Sequence, residues 1–156
     1  MSEDLVLTTG TKKTKYETLL PQVIALVEGE VDLIAKLANI CAALKEQFGW
    51  LWVGFYLVKG DELVVGPFQG PVACTRIRKG RGVCGTCWQK EETIIVPDVE
   101  AFPGHIACSS LSRSEIVVPV WMDGKLIGVL DADSEELDHF DVEDKLFLEL
   151  MLKATF

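Results

Sequence analysis

The dipeptide Asp123-Gly124 stands between two β-rich runs, and this feature constrains the fold of the chain most strongly. EIVVPVWM (residues 115–122) precedes it and KLIGVLDADS (residues 125–134) follows it. Asp-Gly between two such runs is a strong signal for a tight hairpin turn. The sequence therefore predicts that these two strands pair antiparallel.

A second hairpin is predicted earlier in the chain. WLWVGFYLV (residues 50–58) and ELVVGPFQG (residues 62–70) flank the turn residues Lys59-Gly60-Asp61. TIIVPDV (residues 93–99) adds a further strand. Because hairpins join neighbouring strands, we expect a mainly antiparallel sheet.

Helical spacing of apolar residues predicts helices on both sides of the strands. A capping box at Thr14 and Glu17 begins a first helix, and a second helix carries Val31 and Ile34 on its buried face. A short helix begins at Gly82. Asp141 caps a last helix, whose inward face is predicted to hold Val142, Leu146, Leu150 and Met151.

The order of elements is typical of a single α+β domain. At 156 residues the chain has the length of one domain. We expect a flexible lead-in at residues 1–13 and the domain at residues 14–156.

Composition disfavours two classes of partner. The net charge of −9 argues against nucleic acid, whose binders present a basic face, and against an anionic membrane surface. No apolar run reaches the roughly 18 residues that a membrane helix needs. The acidic N-terminus lacks the apolar core of a secretory signal, so we expect a cytoplasmic protein.

The five cysteines are candidates for chemistry. An odd number in a chain without a signal does not resemble a disulfide framework. In a reducing compartment such thiols are more often catalytic or metal-bound. Cys41 lies on the apolar stripe of the second helix, as a small buried residue would. The remaining four are Cys74, Cys84, Cys87 and Cys108.

These four could form a four-thiolate zinc site, but only Cys84 and Cys87 are a close pair, so we expect no metal. A thioredoxin-type CxxC would follow the first strand of a βαβ unit, which the hairpins do not provide. The remaining interpretation is that single cysteines are reactive. The start of a helix could stabilise a thiolate at Cys84, and His105 and Arg113 could do so at Cys108. The cations before Cys84 fit a solvated loop equally well: Arg76, Arg78, Lys79 and Arg81.

Asp131 and Asp133 lie two residues apart on a predicted strand, so both side chains point to one face. They form either a polar pocket or a strand end that faces water. If they are buried with Glu115, the three charges raise one another's pKa, and one carboxyl can hold the proton that a general acid requires. Such a cluster would attract a substrate ammonium. Trp52 and Tyr56 could supply an apolar wall, or simply belong to the core.

Five segments of the chain carry the candidate cysteines, acids and aromatic residues: GWLWVGFYLV, GPFQGPVACTRI, GRGVCG, HIACSSLSRSEIVVPV and GVLDADSE. Together these motifs resemble the free methionine-(R)-sulfoxide reductases, which are single GAF domains. The resemblance covers about residues 15–153 and implies an enzyme that reduces free methionine (R)-S-oxide to methionine without a bound cofactor. It also implies a homodimer, and a central antiparallel sheet flanked by helices.

The resemblance implies a role for each thiol. Cys108 would attack the sulfoxide sulfur and become a sulfenic acid, and Cys74 would resolve it to a disulfide. Cys84 matches a third family cysteine that relays or substitutes. Thioredoxin, supplied ultimately by NADPH, would restore the dithiol. Cys87 departs from the family pattern, and we expect it to be inert behind Trp88 rather than paired with Cys84.

The resemblance also assigns the acids. Glu115, Asp131 and Asp133 would hold the substrate ammonium, with Glu115 and Asp133 as candidates to protonate the departing oxygen. Trp52 would enclose the substrate methyl group, with Tyr56 beside it. Two other functions stay open: a non-catalytic GAF module that binds a ligand or senses redox state, and a zinc-stabilised interaction domain.

Overall fold

A six-stranded antiparallel sheet forms the centre of the structure, a computed structural model that describes residues 3–156. The strands are β1 (Trp52–Lys59), β2 (Glu62–Gln69), β3 (Arg76–Arg78), β4 (Ile94–Val96), β5 (Ser114–Met122) and β6 (Lys125–Ser134). Neighbouring strands follow the order β3-β2-β1-β6-β5-β4, and the first and second predicted hairpins form β5–β6 and β1–β2. The α+β prediction is confirmed. The helices are α1 (Lys12–Val27), α2 (Leu33–Phe48), α3 (Gly82–Lys90) and α4 (Val142–Thr155), with a 3-10 turn at Val99–Ala101.

The sheet separates two apolar clusters, because alternate residues of each strand point to opposite faces. On one face, residues such as Val53 and Phe55 of β1 pack with α1, α2 and α4. On the other face, Trp52 and Tyr56 of the same strand pack with Val83 and other residues of α3. This second face carries the polar site described below.

The first helix begins earlier than predicted. Thr11 caps α1, and its Oγ1 accepts a hydrogen bond from the Thr14 backbone N–H at 3.2 Å. The predicted capping box at Thr14 and Glu17 is therefore wrong, because Thr11 is the residue in extended conformation and α1 has already begun at Lys12. The predicted caps and starts at Asp141 and Gly82 are confirmed.

The predicted inward face of α4 is wrong at three of four positions. Met151 is buried, but Val142, Leu146 and Leu150 are 74%, 62% and 47% exposed. The buried face instead follows Leu148, Met151 and Leu152. Asp144 sets this rotation, because its carboxylate is buried where it accepts a hydrogen bond from the Tyr16 hydroxyl at 2.5 Å.

The beginning of α2 also differs from its predicted pattern. Val31 and Ile34 are 96% and 53% exposed, so their assignment to a buried face is wrong. Val31 precedes the helix, and Ile34 lies in its first turn. The buried face begins only at Leu37.

The predicted lead-in, residues 1–13, is partly attached to the domain. Its first two residues lie outside the described part of the chain, and its flexibility stays a prediction. The Val6 N–H donates to Gln22 Oε1 at 2.8 Å, and the Thr8 backbone exchanges two hydrogen bonds with the Gln47 side chain. Within residues 3–156, no helix has both the length and the apolar character needed to cross a bilayer.

Candidate active site

Strands β5 and β6 bring three carboxyls to one face of the sheet. Glu115 pairs directly with Asp133, and Val117 pairs with Asp131. Asp131 and Asp133 point the same way because they lie two residues apart on one strand. The prediction of a shared face is therefore confirmed, and Glu115 joins the pair.

The three carboxyls lie in a setting that favours their protonated forms. Glu115 and Asp131 are only 5% and 6% exposed. Burial raises the pKa of each acid, and the charge of Asp131 raises those of Glu115 and Asp133 further. These causes are desolvation and like-charge repulsion, so the cluster retains protons more strongly than free carboxyls do.

Few partners compensate the cluster. Asp131 Oδ1 has no hydrogen-bond partner among the described residues. The Ser112 hydroxyl donates to Asp133 Oδ1 at 2.9 Å. His105 Nε2 lies 3.8 Å from Glu115 Oε1, but burial lowers the pKa of the histidine and so favours its neutral form. The site therefore offers a buried oxygen, Asp131 Oδ1, that can accept a hydrogen bond from a ligand.

A disulfide joins Cys74 and Cys108, whose Cα atoms are 5.4 Å apart. Cys74 lies in the loop after β2, and Cys108 lies in the loop before β5. The two residues are separated by 34 positions in the chain, so the bond ties two distant loops together. It also uses two of the four thiols of the zinc alternative.

Cys84 and Cys87 are free and buried in α3. Burial, followed by the charge of Asp131, raises the pKa of both thiols. The helix start near Cys84 therefore does not produce a stabilised thiolate, because desolvation and nearby acids outweigh it. The basic residues before Cys84 contact solvent and do not offset this: Arg76, Arg78, Lys79 and Arg81 are all exposed.

The arrangement includes one possible metal-ligand set. Donor atoms of Cys84, Glu115 and Asp131 all lie within 4.8 Å of one another. A metal would have to displace protons from groups whose pKa is raised. The same groups are equally suited to hold an ammonium or to give up a proton.

Two aromatic residues form the apolar side of the site. The Trp52 indole N–H donates to the Pro71 carbonyl at 3.1 Å, and its ring stacks on Phe68 at 5.1 Å between centroids. The Tyr56 hydroxyl donates to the Cys74 carbonyl at 2.9 Å. Tyr56 therefore links the aromatic side of the site directly to the disulfide loop.

One pocket of about 560 Å³, open mouth included, brings these groups together. Of the residues to which the resemblance assigns a part in catalysis or substrate binding, only Cys74 does not line it, and Cys74 is bonded to Cys108, which does. The lining includes Trp52, Tyr56, Cys84, Cys108, Glu115, Asp131 and Asp133.

Two further lining residues contact the acids, which the sequence did not predict. Ser112 lies within the motif HIACSSLSRSEIVVPV but had no predicted role, and its contact with Asp133 depends on how the loop folds back onto β6. His105 was considered only as a neighbour of Cys108 that could stabilise its thiolate. Its approach to Glu115 follows from the same loop, so only its position three residues before Cys108 could have indicated it.

Comparison with known proteins places the chain among well-defined relatives. Residues 32–154 match the GAF domain family. The chain is 63% identical over 154 residues to GAF domain-containing protein A of Dictyostelium discoideum, covering 98% of each. It is 48% identical over 122 residues to the free methionine-R-sulfoxide reductase of Escherichia coli, covering 78% of this chain and 74% of that protein.

A solved structure shows the same likeness in three dimensions. The free methionine-R-sulfoxide reductase of Neisseria meningitidis, in complex with its substrate, superposes with a TM-score of 0.96 at 56% identity. The match covers 99% of this chain and 93% of that one. The likeness therefore extends over the whole domain.

Proposed function

This chain belongs to the free methionine-R-sulfoxide reductase family of GAF domains, and we propose from that premise that it reduces free methionine (R)-S-oxide to methionine. The observation that supports this most directly is that Cys108 and three carboxyls, of which Glu115 and Asp131 are buried, line a single pocket. A sulfoxide oxygen leaves only when it is protonated, so a thiol and a carboxylic acid must reach the same substrate.

The reaction begins at Cys108. Its thiolate attacks the sulfoxide sulfur while Glu115 or Asp133 gives a proton to the oxygen. The bond between the two sulfurs then breaks as the protonated oxygen passes to the Cys108 sulfur, so methionine leaves and Cys108 becomes a sulfenic acid. The acids suit this step because burial raises the pKa of Glu115 and Asp133, so these carboxyls keep a proton more strongly than exposed carboxyls do.

Cys74 completes the turnover. Its thiol attacks the Cys108 sulfenic acid, water leaves, and a disulfide forms between the residues that the structure joins. A protein dithiol of the thioredoxin class, supplied ultimately by NADPH, then returns both sulfurs to thiols. No bound cofactor is needed, because the two electrons come from the cysteine pair. Cys84 is the candidate to substitute for Cys74.

The pocket also accounts for the choice of a free amino acid. Asp131 Oδ1, buried and without a partner, can accept a hydrogen bond from the substrate ammonium. The Trp52 and Tyr56 rings offer an apolar surface for the substrate methyl group. A methionine sulfoxide inside a peptide lacks the free ammonium, so we expect it to be rejected.

We infer a homodimer, in line with the family expectation. The exposed face of α4 carries Val142, Leu146 and Leu150 at spacings of four residues, which makes an apolar stripe that a second copy could cover. We also infer that the protein works in the cytoplasm, where a dithiol reductant is available.

One experiment tests the proposed reaction. Oxidation of NADPH is followed in the presence of thioredoxin, thioredoxin reductase and one of three substrates: the free (R)-sulfoxide, the free (S)-sulfoxide or a peptide that contains methionine sulfoxide. We expect turnover with the first substrate alone. A redox-sensing module without catalysis would give one stoichiometric reduction of its disulfide and no methionine.

A further inference from the structure

We propose that Val72, Ile106 and Leu111 form a docking surface around the Cys74–Cys108 disulfide for a protein dithiol reductant. The surface deepens the proposed function and rests on it. It concerns how the enzyme is returned to its reduced form, not how the sulfoxide is reduced.

The three side chains are apolar but exposed. Val72 is 88% exposed, Ile106 is 39% exposed and Leu111 is 54% exposed. Val72 and Ile106 each lie two residues from a disulfide cysteine, and Leu111 lies three residues from Cys108. Their Cα atoms are thus within about 11 Å of a bonded cysteine. Val72 and Ile106 also line the same pocket as Cys108, and neighbouring exposed apolar side chains commonly mark a surface that another molecule covers.

The chemistry of disulfide exchange indicates that the molecule covering these side chains is a dithiol reductant. A thiolate of the reductant attacks one sulfur of the pair, forming a mixed disulfide and releasing the other sulfur as a thiolate. The second thiol of the reductant then attacks the mixed bond, so the reductant leaves as a disulfide and two electrons have passed to this chain. The two protons of the dithiol go to Cys74 and Cys108.

The mixed disulfide fixes the position of the partner. A sulfur–sulfur bond of about 2.05 Å forces the reductant's surface against whatever surrounds the disulfide. Both cysteines are at least partly exposed, so that approach is open. Contacts of this kind are small and transient, and a few central apolar side chains can supply most of the affinity.

The charge pattern favours an acidic partner surface. The chain as a whole has a net charge of −9, yet the sequence between Glu62 and Glu91 contains no acidic residue and five basic ones. Four of these, at positions 76, 78, 79 and 81, are exposed and follow closely after Cys74. A reductant with an apolar patch and acidic rim would match this region, and salt should weaken the encounter.

The test isolates the recycling step. Oxidised protein is mixed with reduced thioredoxin, without sulfoxide, and loss of the Cys74–Cys108 disulfide is followed over time. Dithiothreitol replaces thioredoxin in a parallel series. Leu111→Ser and Val72→Ser should each slow reduction by thioredoxin about tenfold while changing the dithiothreitol rate less than about twofold.

Matched controls keep the outcome clear. Val31→Ser removes a similarly exposed valine from the segment before α2 and should leave both rates unchanged. Circular dichroism and an unchanged rate of reduction by dithiothreitol show that each variant is folded. If Leu111→Ser does not fold, Leu111→Ala replaces it in the test. Methionine formation by reduced Leu111→Ser in a single turnover should equal that of the unaltered protein, because Leu111 does not line the pocket.

Two results would overturn the surface. One is an unchanged thioredoxin rate in both variants. The other is an equal loss with thioredoxin and dithiothreitol, which would place the effect on the disulfide itself. Failure of the proposed function looks different, because methionine formation would then be absent from the unaltered protein whatever the recycling rates.

Discussion

Glu115 lies directly opposite Asp133 in the antiparallel pairing of β5 and β6, so their side chains leave the sheet on the same face. Asp131, two residues before Asp133, shares that face. The cluster is thus built into the hydrogen-bond register of the sheet and does not depend on a mobile loop. A one-residue shift of β6 would turn Asp131 and Asp133 toward the opposite face, which packs with α1, α2 and α4, and would destroy the site.

The first prediction concerns stability and pH. The folded-state pKa of Asp131 is raised, so the folded protein binds this proton more tightly than the unfolded chain does. Its contribution to stability is complete below the ordinary carboxyl pKa of about 4 and is lost as pH rises through the raised value. Asp131→Asn should therefore increase the free energy of unfolding at pH 8 by roughly 1–2 kcal/mol and have little effect at pH 4.

Urea unfolding at the two pH values measures this difference. Asp61→Asn, at an exposed turn, is the control and should change stability little at either pH. A variant at position 131 that loses stability at pH 8 would contradict the assignment of a buried, destabilising charge. We also expect Asp131→Asn to bind the free sulfoxide more weakly, because its side chain no longer carries the charge that complements an ammonium.

The second prediction separates the two cysteines of the disulfide. Cys108→Ser should form no methionine, because a hydroxyl does not replace the attacking thiolate. Cys74→Ser should release about one equivalent of methionine and then stop, since the sulfenic acid has no resolving thiol. Quenched single-turnover assays with methionine analysis give both numbers. Continued recycling by Cys74→Ser would identify Cys84 or Cys87 as the resolving residue.

The third prediction concerns the Trp52 wall. Gly70 has a positive φ of +138°, and a Cβ added there would lie 2.7 Å from Trp52 Cδ1 and 2.7 Å from the Leu51 carbonyl oxygen. Gly70→Ala should displace the indole and raise KM for the sulfoxide by about tenfold, the effect of losing part of an apolar contact worth roughly 1.5 kcal/mol.

Gly124→Ala is the matched control for that change. Gly124 also has a positive φ, of +74°, but its added Cβ would meet open space in the β5–β6 turn. It should lower the melting temperature through backbone strain while leaving KM unaltered. An equal rise of KM in both variants would show that the effect comes from general destabilisation.

Much of this fold and site follows from local sequence signals. The Asp123-Gly124 turn and the period of two along a strand predict from the sequence alone that Asp131 and Asp133 share one face. The contact between Cys74 and Cys108 is different, because 34 residues separate them and no local pattern brings their loops together. Only the family resemblance indicated that pair.

The face of α4 could not be read correctly for another physical reason. Its apolar residues occupy two sides of the helix, so periodicity alone selects neither. The choice depends on Asp144, whose burial requires Tyr16 and Lys12 from a helix at the other end of the chain. A polar residue of this kind looks exposed in the sequence until its distant partners are known.

The fourth prediction concerns Cys87, the cysteine that departs from the family pattern. Its side chain is fully buried, and burial followed by the charge of Asp131 raises the pKa of its thiol. It is unpaired in the structure, as is Cys84. Cys87→Ala should therefore leave thioredoxin-coupled turnover unchanged in steady-state assays. A slower recycling step with normal methionine formation would instead show that Cys87 relays the disulfide.

The last prediction concerns Cys41, which packs among α1, α2 and the opposite face of the sheet from the pocket. Its Sγ lies 3.3 Å from the Pro67 carbonyl oxygen, and burial raises the pKa of this thiol to about 12, so it stays protonated and unreactive. Cys41→Ala removes one buried sulfur and should lower the free energy of unfolding by about 1–2 kcal/mol through the small cavity that it leaves.

Turnover at a temperature where the variant is folded should equal that of the unaltered protein, because the sheet separates position 41 from the acids and from the disulfide. Urea unfolding and the NADPH-coupled assay measure the two quantities on one preparation. Lost turnover with unchanged stability would mean that Cys41 takes part in the thiol chemistry.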